Sequence, residues 1–222
     1  MYKFKKSKFL ILIPAYNELK NLKIFVKKIN DLAPLIILDD CSTDNTEDWL
    51  NKNNINYIKN KKNLGYEKNL LNGIKKFKKY SEFLITFDGD GQHKISDLKK
   101  ILSFNTNYDI LICNRKNKNR FIENLISFQS KILFGFYDPL SGFKVYNTKK
   151  LKNDMFIDIG EFFLVDFLLK FPKNNTRISN YSIVTKKRIG RSRVGSFFPI
   201  LIKELKILFK LILTRINSYF IK

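Results

Sequence analysis

Phe83-Leu84-Ile85-Thr86-Phe87-Asp88-Gly89-Asp90-Gly91-Gln92-His93 is the stretch on which the reading of this 222-residue chain turns. Five residues of strand-forming type run without a break, then stop at two carboxylates one residue apart, each followed by a glycine. An unbroken run of this kind fits a strand covered on both faces, as in a parallel sheet. Phe9 to Ile13, Leu35 to Leu38 and Ile110 to Cys113 have the same form. Between them, Leu19, Leu22, Phe25, Val26 and Ile29 keep helical spacing, as do Leu70, Leu71, Ile74 and Phe77. This alternation predicts an α/β fold, a mostly parallel central sheet flanked by helices.

In such sheets ligands bind beyond the carboxyl ends of the strands. The first strand leads into Pro14-Ala15-Tyr16-Asn17-Glu18, the second into Asp39-Asp40-Cys41-Ser42-Thr43-Asp44, and the third into Asp88-Gly89-Asp90. Acidic residues therefore gather on one edge of the sheet. An Asp-x-Asp triplet by itself is common in turns. On a loop leaving a buried strand, Asp88 and Asp90 can hold a hard divalent cation and share it with phosphates, and Gln92 can add a neutral oxygen. The lone histidine, His93, has no evident catalytic partner, and a structural place beside this loop suits it better than that of a general base.

The formal net charge is +22, and the 44% hydrophobic share is that of a globular chain. A basic surface attracts phosphate, so a nucleic-acid-binding module is one reading. It gives no reason for the acidic strand ends, and most lysines need only be solvated surface. The arginines say more, since three of the seven crowd into Arg188, Arg191 and Arg193. Cys41 and Cys113 supply neither a disulfide framework nor a metal-ligand cluster, so a reducing compartment is expected. The apolar run near the start is too short for a signal peptide and reads as a buried strand.

Five segments taken in order, LIPAYNE-x-x-N, LDDCSTDNT, NLGYEKNLLNGI, FDGDGQH and DPLSGFKVYN, resemble the family-2 inverting glycosyltransferases of the GT-A fold. The match is closest to the dolichyl-phosphate mannosyltransferase and polyprenyl-phosphate glycosyltransferase group, and it runs from Ile11 to about Arg193. The resemblance implies a Rossmann-like GT-A domain over residues 1–195 that moves a sugar from a UDP- or GDP-linked donor to a polyprenyl phosphate. Pro14, Ala15, Tyr16 and Glu18 would line the nucleotide pocket, with Asp40 at the base or ribose. Asp88, Asp90 and Gln92 would bind Mg²⁺ or Mn²⁺ on the donor diphosphate. Arg115 falls where the family has a basic residue near the phosphates. Asp138, Ser141, Gly142 and Phe143 match the acceptor-side segment. Lys187, Gly190, Ser192 and Arg193 match a basic stretch, making Asp90, Arg115, Lys187 and Arg193 the expected catalytic set.

Three positions depart from the family pattern. Cys41 stands where glycine is frequent, and Lys94-Ile95 replaces a common Pro-Pro. Lys187 and Arg193 exchange the usual basic types, which keeps charge but alters hydrogen-bond geometry. Glu161 has two readings, a first-turn acid favoured by the helix dipole or a base facing an acceptor hydroxyl. A lipid phosphate is already anionic and needs no base. A hydroxyl acceptor on a glycan or lipid-linked saccharide is the rival, and a scaffold without turnover is a further one.

Residues 196–222 read as a C-terminal amphipathic helix. Lys203, Lys206, Lys210, Thr214 and Asn217 share one helical stripe, and the remainder is rich in Leu, Ile and Phe. Lysines recur too often for a spanning helix of about 20 mainly apolar residues. From residue 186 onward there are ten basic residues against one acidic, a segment that anionic lipid would attract. The expectation is a protein attached peripherally to the inner face of the cytoplasmic membrane. The alternative is a helix that docks on the domain itself.

Overall fold

The computed structural model describes residues 7–118, 120–157, 159–160, 162–172, 175–187 and 197–220. In the last stretch, side chains are described from 200 to 217. Glu161, Gly190, Ser192 and Arg193 lie outside these residues, as does the boundary expected at 195–196.

Seven strands form one sheet: β1 (Ser7–Ala15), β2 (Leu35–Asp39), β3 (Tyr57–Lys59), β4 (Ser81–Thr86), β5 (Ile110–Arg115), β6 (Lys144–Asn147) and β7 (Ile178–Ile183). Their order is β3-β2-β1-β4-β6-β5-β7. β6 lies antiparallel between β4 and β5, and every other pairing is parallel. The four apolar runs are four of these strands. Their side chains alternate between two cores, as a period of two requires. From β1, Ile11 and Ile13 enter one core, packing with Leu22, Val26 and Leu98, while Leu10 and Leu12 enter the other with Leu70, Ile74 and Phe167.

Those partners come from α1 (Leu19–Asn30), α3 (Tyr66–Phe77), α4 (Ile95–Ser103) and α6 (Phe163–Leu169); α2 (Thr46–Lys52) covers the sheet edge beside β3. The helical spacing of the sequence is borne out in α1, where Leu22, Phe25, Val26 and Ile29 are all buried. α5 (Phe121–Phe134) and α7 (Phe197–Phe220) pack together at the carboxyl-terminal side of β5. Ile126 of α5, Phe162 and Val165, and Ile207 and Leu211 of α7 form a third, smaller core.

α7 is placed unlike a helix that turns its lysines to water. Lys203 pairs with Glu67 of α3 at 2.6 Å, Lys210 with Asp166 of α6 at 2.6 Å, and Glu204 with Arg120 at 2.6 Å. Lys203 and Lys210 of the polar stripe thus lie along the seam with the domain, while Lys206 and Asn217 remain exposed. Ile202, Leu205, Phe209, Ile212, Leu213 and Ile216 are left facing outward. The helix has apolar residues around most of its circumference, and the ion pairs select which part turns inward. Among the described residues no helix is long and apolar enough to cross a membrane.

Candidate active site

At the carboxyl ends of β1, β2 and β4 the backbone makes tight turns that need special conformations. Cys41 has φ +67°, a left-handed backbone that favours glycine, which accounts for the residue usual at this position. Of the acidic residues after β2, Asp39 accepts the Ser42 amide at 3.0 Å and Asp44 accepts the Leu19 amide at 3.0 Å, the latter at the start of α1. Asp40 reaches the opposite way. Its oxygens accept from Asn60 Nδ2 at 2.8 Å, Leu64 N at 2.9 Å and Gly65 N at 2.8 Å, fixing residues 60–65. Two of the three carboxylates therefore shape the turn, and Asp40 shapes a wall of the pocket.

Asp88 is enclosed by protein donors. The Tyr66 hydroxyl donates to Oδ1 at 2.6 Å, and His93 Nε2 shares a hydrogen bond with Oδ2 at 2.9 Å. Burial alone would raise this carboxyl, but His93, Tyr66 and the charge of Arg115 outweigh it and hold Asp88 below the usual carboxylate range. His93 is buried against Phe87 and Phe143, in the structural place expected of it. Gly142 lies against Asp88 from the far side, and a Cβ there would collide with both carboxylate oxygens. Gly89 is equally constrained, since a Cβ would sit 2.6 Å from the Pro14 carbonyl oxygen. Asp90 Oδ1 accepts the Gln92 amide at 3.0 Å, which draws Gln92 into the same turn.

Asp138, in the left-handed region at φ +51°, holds Arg115 in a fork. Arg115 donates from Nε and Nη2 at 2.9 Å each and from its backbone amide at 2.8 Å. Burial opposes charge on both partners. Their mutual bonding prevails, so Asp138 is held low and Arg115 is raised. Behind this loop Lys144 is fully buried, with its ammonium donating to the carbonyl oxygens of Pro139, at 3.0 Å, and Ser141. Burial lowers it to about 8.

One cavity of about 690 Å³ joins these groups. Pro14, Ala15, Tyr16, Glu18, Asp40, Asp88, Asp90, Gln92, Arg115 and Gly142 all line it. The motifs read from the sequence thus supply the oxygen-rich part of this cavity. Asp138 and Ser141 are buried behind that wall, holding it rather than lining it. Lys187 is exposed and does not line the cavity. Tyr66 and Glu67, within NLGYEKNLLNGI, and Lys203, within the C-terminal stripe, also line it, as do Arg120, Glu123 and Glu204, which belong to no motif read from the sequence. Their only signal was charge placed inside otherwise apolar helix patterns. Leu140, Phe162, Leu164, Val165, Ile200 and Ile207 supply the apolar part of the lining.

The donor chemistry fits a hard divalent ion. Asp88 and Asp90 present carboxylate oxygen beside the Gln92 amide, and an ion shared with phosphates needs only one or two protein carboxylates. Among the described residues no group of three or more His, Cys, Asp or Glu could hold a metal by itself. Such a site is completed by a ligand's oxygens.

Comparison with known proteins agrees with this construction. The chain is 31% identical over 176 residues to the UDP-N-acetylglucosamine–dolichyl-phosphate N-acetylglucosaminyltransferase of Methanococcus voltae, covering 64% of this chain and 70% of that protein. It is 23% identical to the undecaprenyl-phosphate mannosyltransferase of Micrococcus luteus, covering 84% and 87%. The glucosyl-3-phosphoglycerate synthase of Mycobacterium tuberculosis, solved with Mn²⁺, UDP and glucosyl-3-phosphoglycerate, shares the fold at a TM-score of 0.67. Its identity is 16%, over 94% of this chain and 79% of that one. The family model described as glycosyl transferase family 2 matches residues 10–169, a span that holds both carboxylates of the metal-type turn, the Arg115–Asp138 fork and the glycine packed on Asp88; the chain belongs to that family.

Proposed function

We propose that this protein transfers a sugar from a nucleotide-sugar donor to a polyprenyl phosphate at a membrane surface, inverting the anomeric configuration. The observation that carries this reading is one cavity lined both by the carboxylates Asp88 and Asp90 and by apolar side chains of α6 and α7. A donor diphosphate suits the first and a lipid chain the second. The relatives from Methanococcus voltae and Micrococcus luteus, named for transfer to dolichyl and undecaprenyl phosphate, support the acceptor. The fold neighbour solved with Mn²⁺ and UDP supports the donor and a divalent ion.

In this reading Pro14, Ala15, Tyr16 and Glu18 bound the nucleotide end of the cavity, and Asp40 holds residues 60–65 against it. Asp88, Asp90 and Gln92 would hold Mg²⁺ or Mn²⁺, which would supply positive charge where the leaving diphosphate gains negative charge. Arg115, fixed by Asp138, adds a cation of set direction, and Lys187 and Arg193 are the further basic residues proposed for the phosphates. Asp138 is a poor base, because its ion pair keeps it ionised well below neutral pH. A phosphate acceptor requires none. Glu161 retains the proposed place on the acceptor side.

The membrane surface is supported by where the exposed apolar side chains sit. Of fifteen such large residues among those described, six are on α7 and four on α5: Phe121, Leu125, Phe128 and Ile132. Ten on two adjacent helices form a patch, not a scatter. The +22 charge would repel a second copy and attract anionic lipid, which favours the inner face of the cytoplasmic membrane.

The test is to incubate the protein with Mn²⁺ or Mg²⁺, polyprenyl phosphate in detergent, and labelled UDP- and GDP-sugars. Label should enter the organic phase from one donor and be lost with EDTA. Donor hydrolysis without lipid labelling would overturn the lipid acceptor and favour a hydroxyl acceptor.

A further inference from the structure

Three cations line the cavity: Arg115, Arg120 and Lys203. Arg115 is committed to Asp138 by three hydrogen bonds. Arg120 bridges two carboxylates, Glu123 and Glu204 at 2.7 Å, and so ties α5 to α7. Lys203 differs from both. Its side chain is 43% exposed and gives one hydrogen bond, to Glu67 Oε1 at 2.6 Å. An ammonium has three donors, so this pair can persist while the others meet a ligand.

The position of Lys203 links the two parts of the cavity lining. Glu67 follows Tyr66, whose hydroxyl holds Asp88 in the oxygen-rich part. The Lys203 ammonium also lies 5.8 Å from the centre of the Phe162 ring, part of the apolar lining. Val165 and Ile207 continue the apolar wall, and the opposite side of α7 is the exposed apolar face. A cation at this junction matches a ligand that is anionic at one end and hydrocarbon at the other.

We infer that Lys203 binds the phosphate of the acceptor lipid, with the first isoprene units along Phe162, Val165 and Ile207. This rests on the lipid-phosphate reading above and makes α7 part of the substrate site. A free phosphate has the same headgroup chemistry, so the test must separate head from tail.

Equilibrium dialysis with labelled farnesyl phosphate, farnesol and inorganic phosphate does so. The protein should bind farnesyl phosphate at least about tenfold more tightly than either other probe, as a charge-assisted contact added to chain burial requires. Lys203→Met and Lys203→Gln should fall to the farnesol level, while Lys203→Arg keeps the preference. Thermal melting of each variant identifies any that fails to fold, and the Gln and Arg pair then carries the comparison. Unchanged farnesyl phosphate affinity in folded Lys203→Gln would overturn the subsite, as would equal wild-type affinity for inorganic phosphate. Lipid labelling that persists in that variant removes the subsite and leaves the transferase reading intact. Lys203-dependent binding with no transfer to any polyprenyl phosphate removes the transferase reading and leaves the subsite.

Discussion

Gly142 and Asp88 are packed so closely that position 142 has no room for a side chain: a Cβ would overlap both oxygens of the carboxylate. Both partners are anchored. The Gly142 carbonyl accepts from Thr86 Oγ1 at 2.6 Å, and Asp88 is held by Tyr66 and His93. Gly142→Ala should therefore displace Asp88, lowering turnover about 100-fold, as small misplacements at reacting centres do. The fold should survive at a cost of about 1–3 kcal/mol. Steady-state rates beside chemical denaturation test this, and a fully active Gly142→Ala would mean that Asp88 is not needed in its present place.

Asp90 Oδ1 accepts the Gln92 amide of its own turn at 3.0 Å. Asp90→Asn preserves that bond and removes the charge. Turnover should fall by about 10²–10³-fold, the scale for losing one stabiliser of developing charge, and added Mn²⁺ should not restore it. Tyr66→Phe deletes a single donor to Asp88 and should cost less, about tenfold. A metal titration of activity for each variant discriminates these outcomes.

Lys144 makes a prediction about pH and stability. Its folded value of about 8 lies below the ordinary 10.5, because burial disfavours the ammonium. Between those values the unfolded chain carries a proton that the folded chain lacks. Stability from this residue therefore increases as pH rises through that window, by roughly 3 kcal/mol if the whole shift is realised. Below pH 8 both states are protonated and the contribution is absent. Lys144→Met should lose this rise. Urea denaturation of both proteins at pH 7.5 and pH 9.5 checks it, and parallel pH profiles would refute the assignment.

What the sequence disclosed follows from how local each signal is. The strands β1, β2, β4 and β5 are unbroken apolar runs, and the turns after them carry their chemistry within a few residues. β3 and β7 were not read, because their burial patterns are mixed, and neither was β6, a four-residue strand that lies antiparallel between β4 and β5. Glu67 and Lys203 are 136 residues apart, so no window of sequence joins them. The orientation of α7 was equally hidden. Its apolar residues cover more than one face, and only Glu67, Arg120 and Asp166 on other elements decide which face turns inward.

That orientation changes how membrane attachment has to be tested. Removing the chain from Pro199 onward would delete Ile207 and Leu211 from the third core and Lys203 and Glu204 from the cavity wall. Loss of lipid binding in such a truncation would then have two causes. Phe128 and Phe209 are better probes, being 59% and 63% exposed on α5 and α7. Replacing both with Glu takes away little internal packing and places two negative charges on the patch. Burying each phenylalanine in lipid contributes about 1.5–3 kcal/mol, so the double variant should lose at least about tenfold in affinity for anionic liposomes. Its thermal stability should change little. Sedimentation with phosphatidylglycerol vesicles measures the first and melting the second. A double variant that binds vesicles as the native protein does would show that α5 and α7 do not carry the membrane surface.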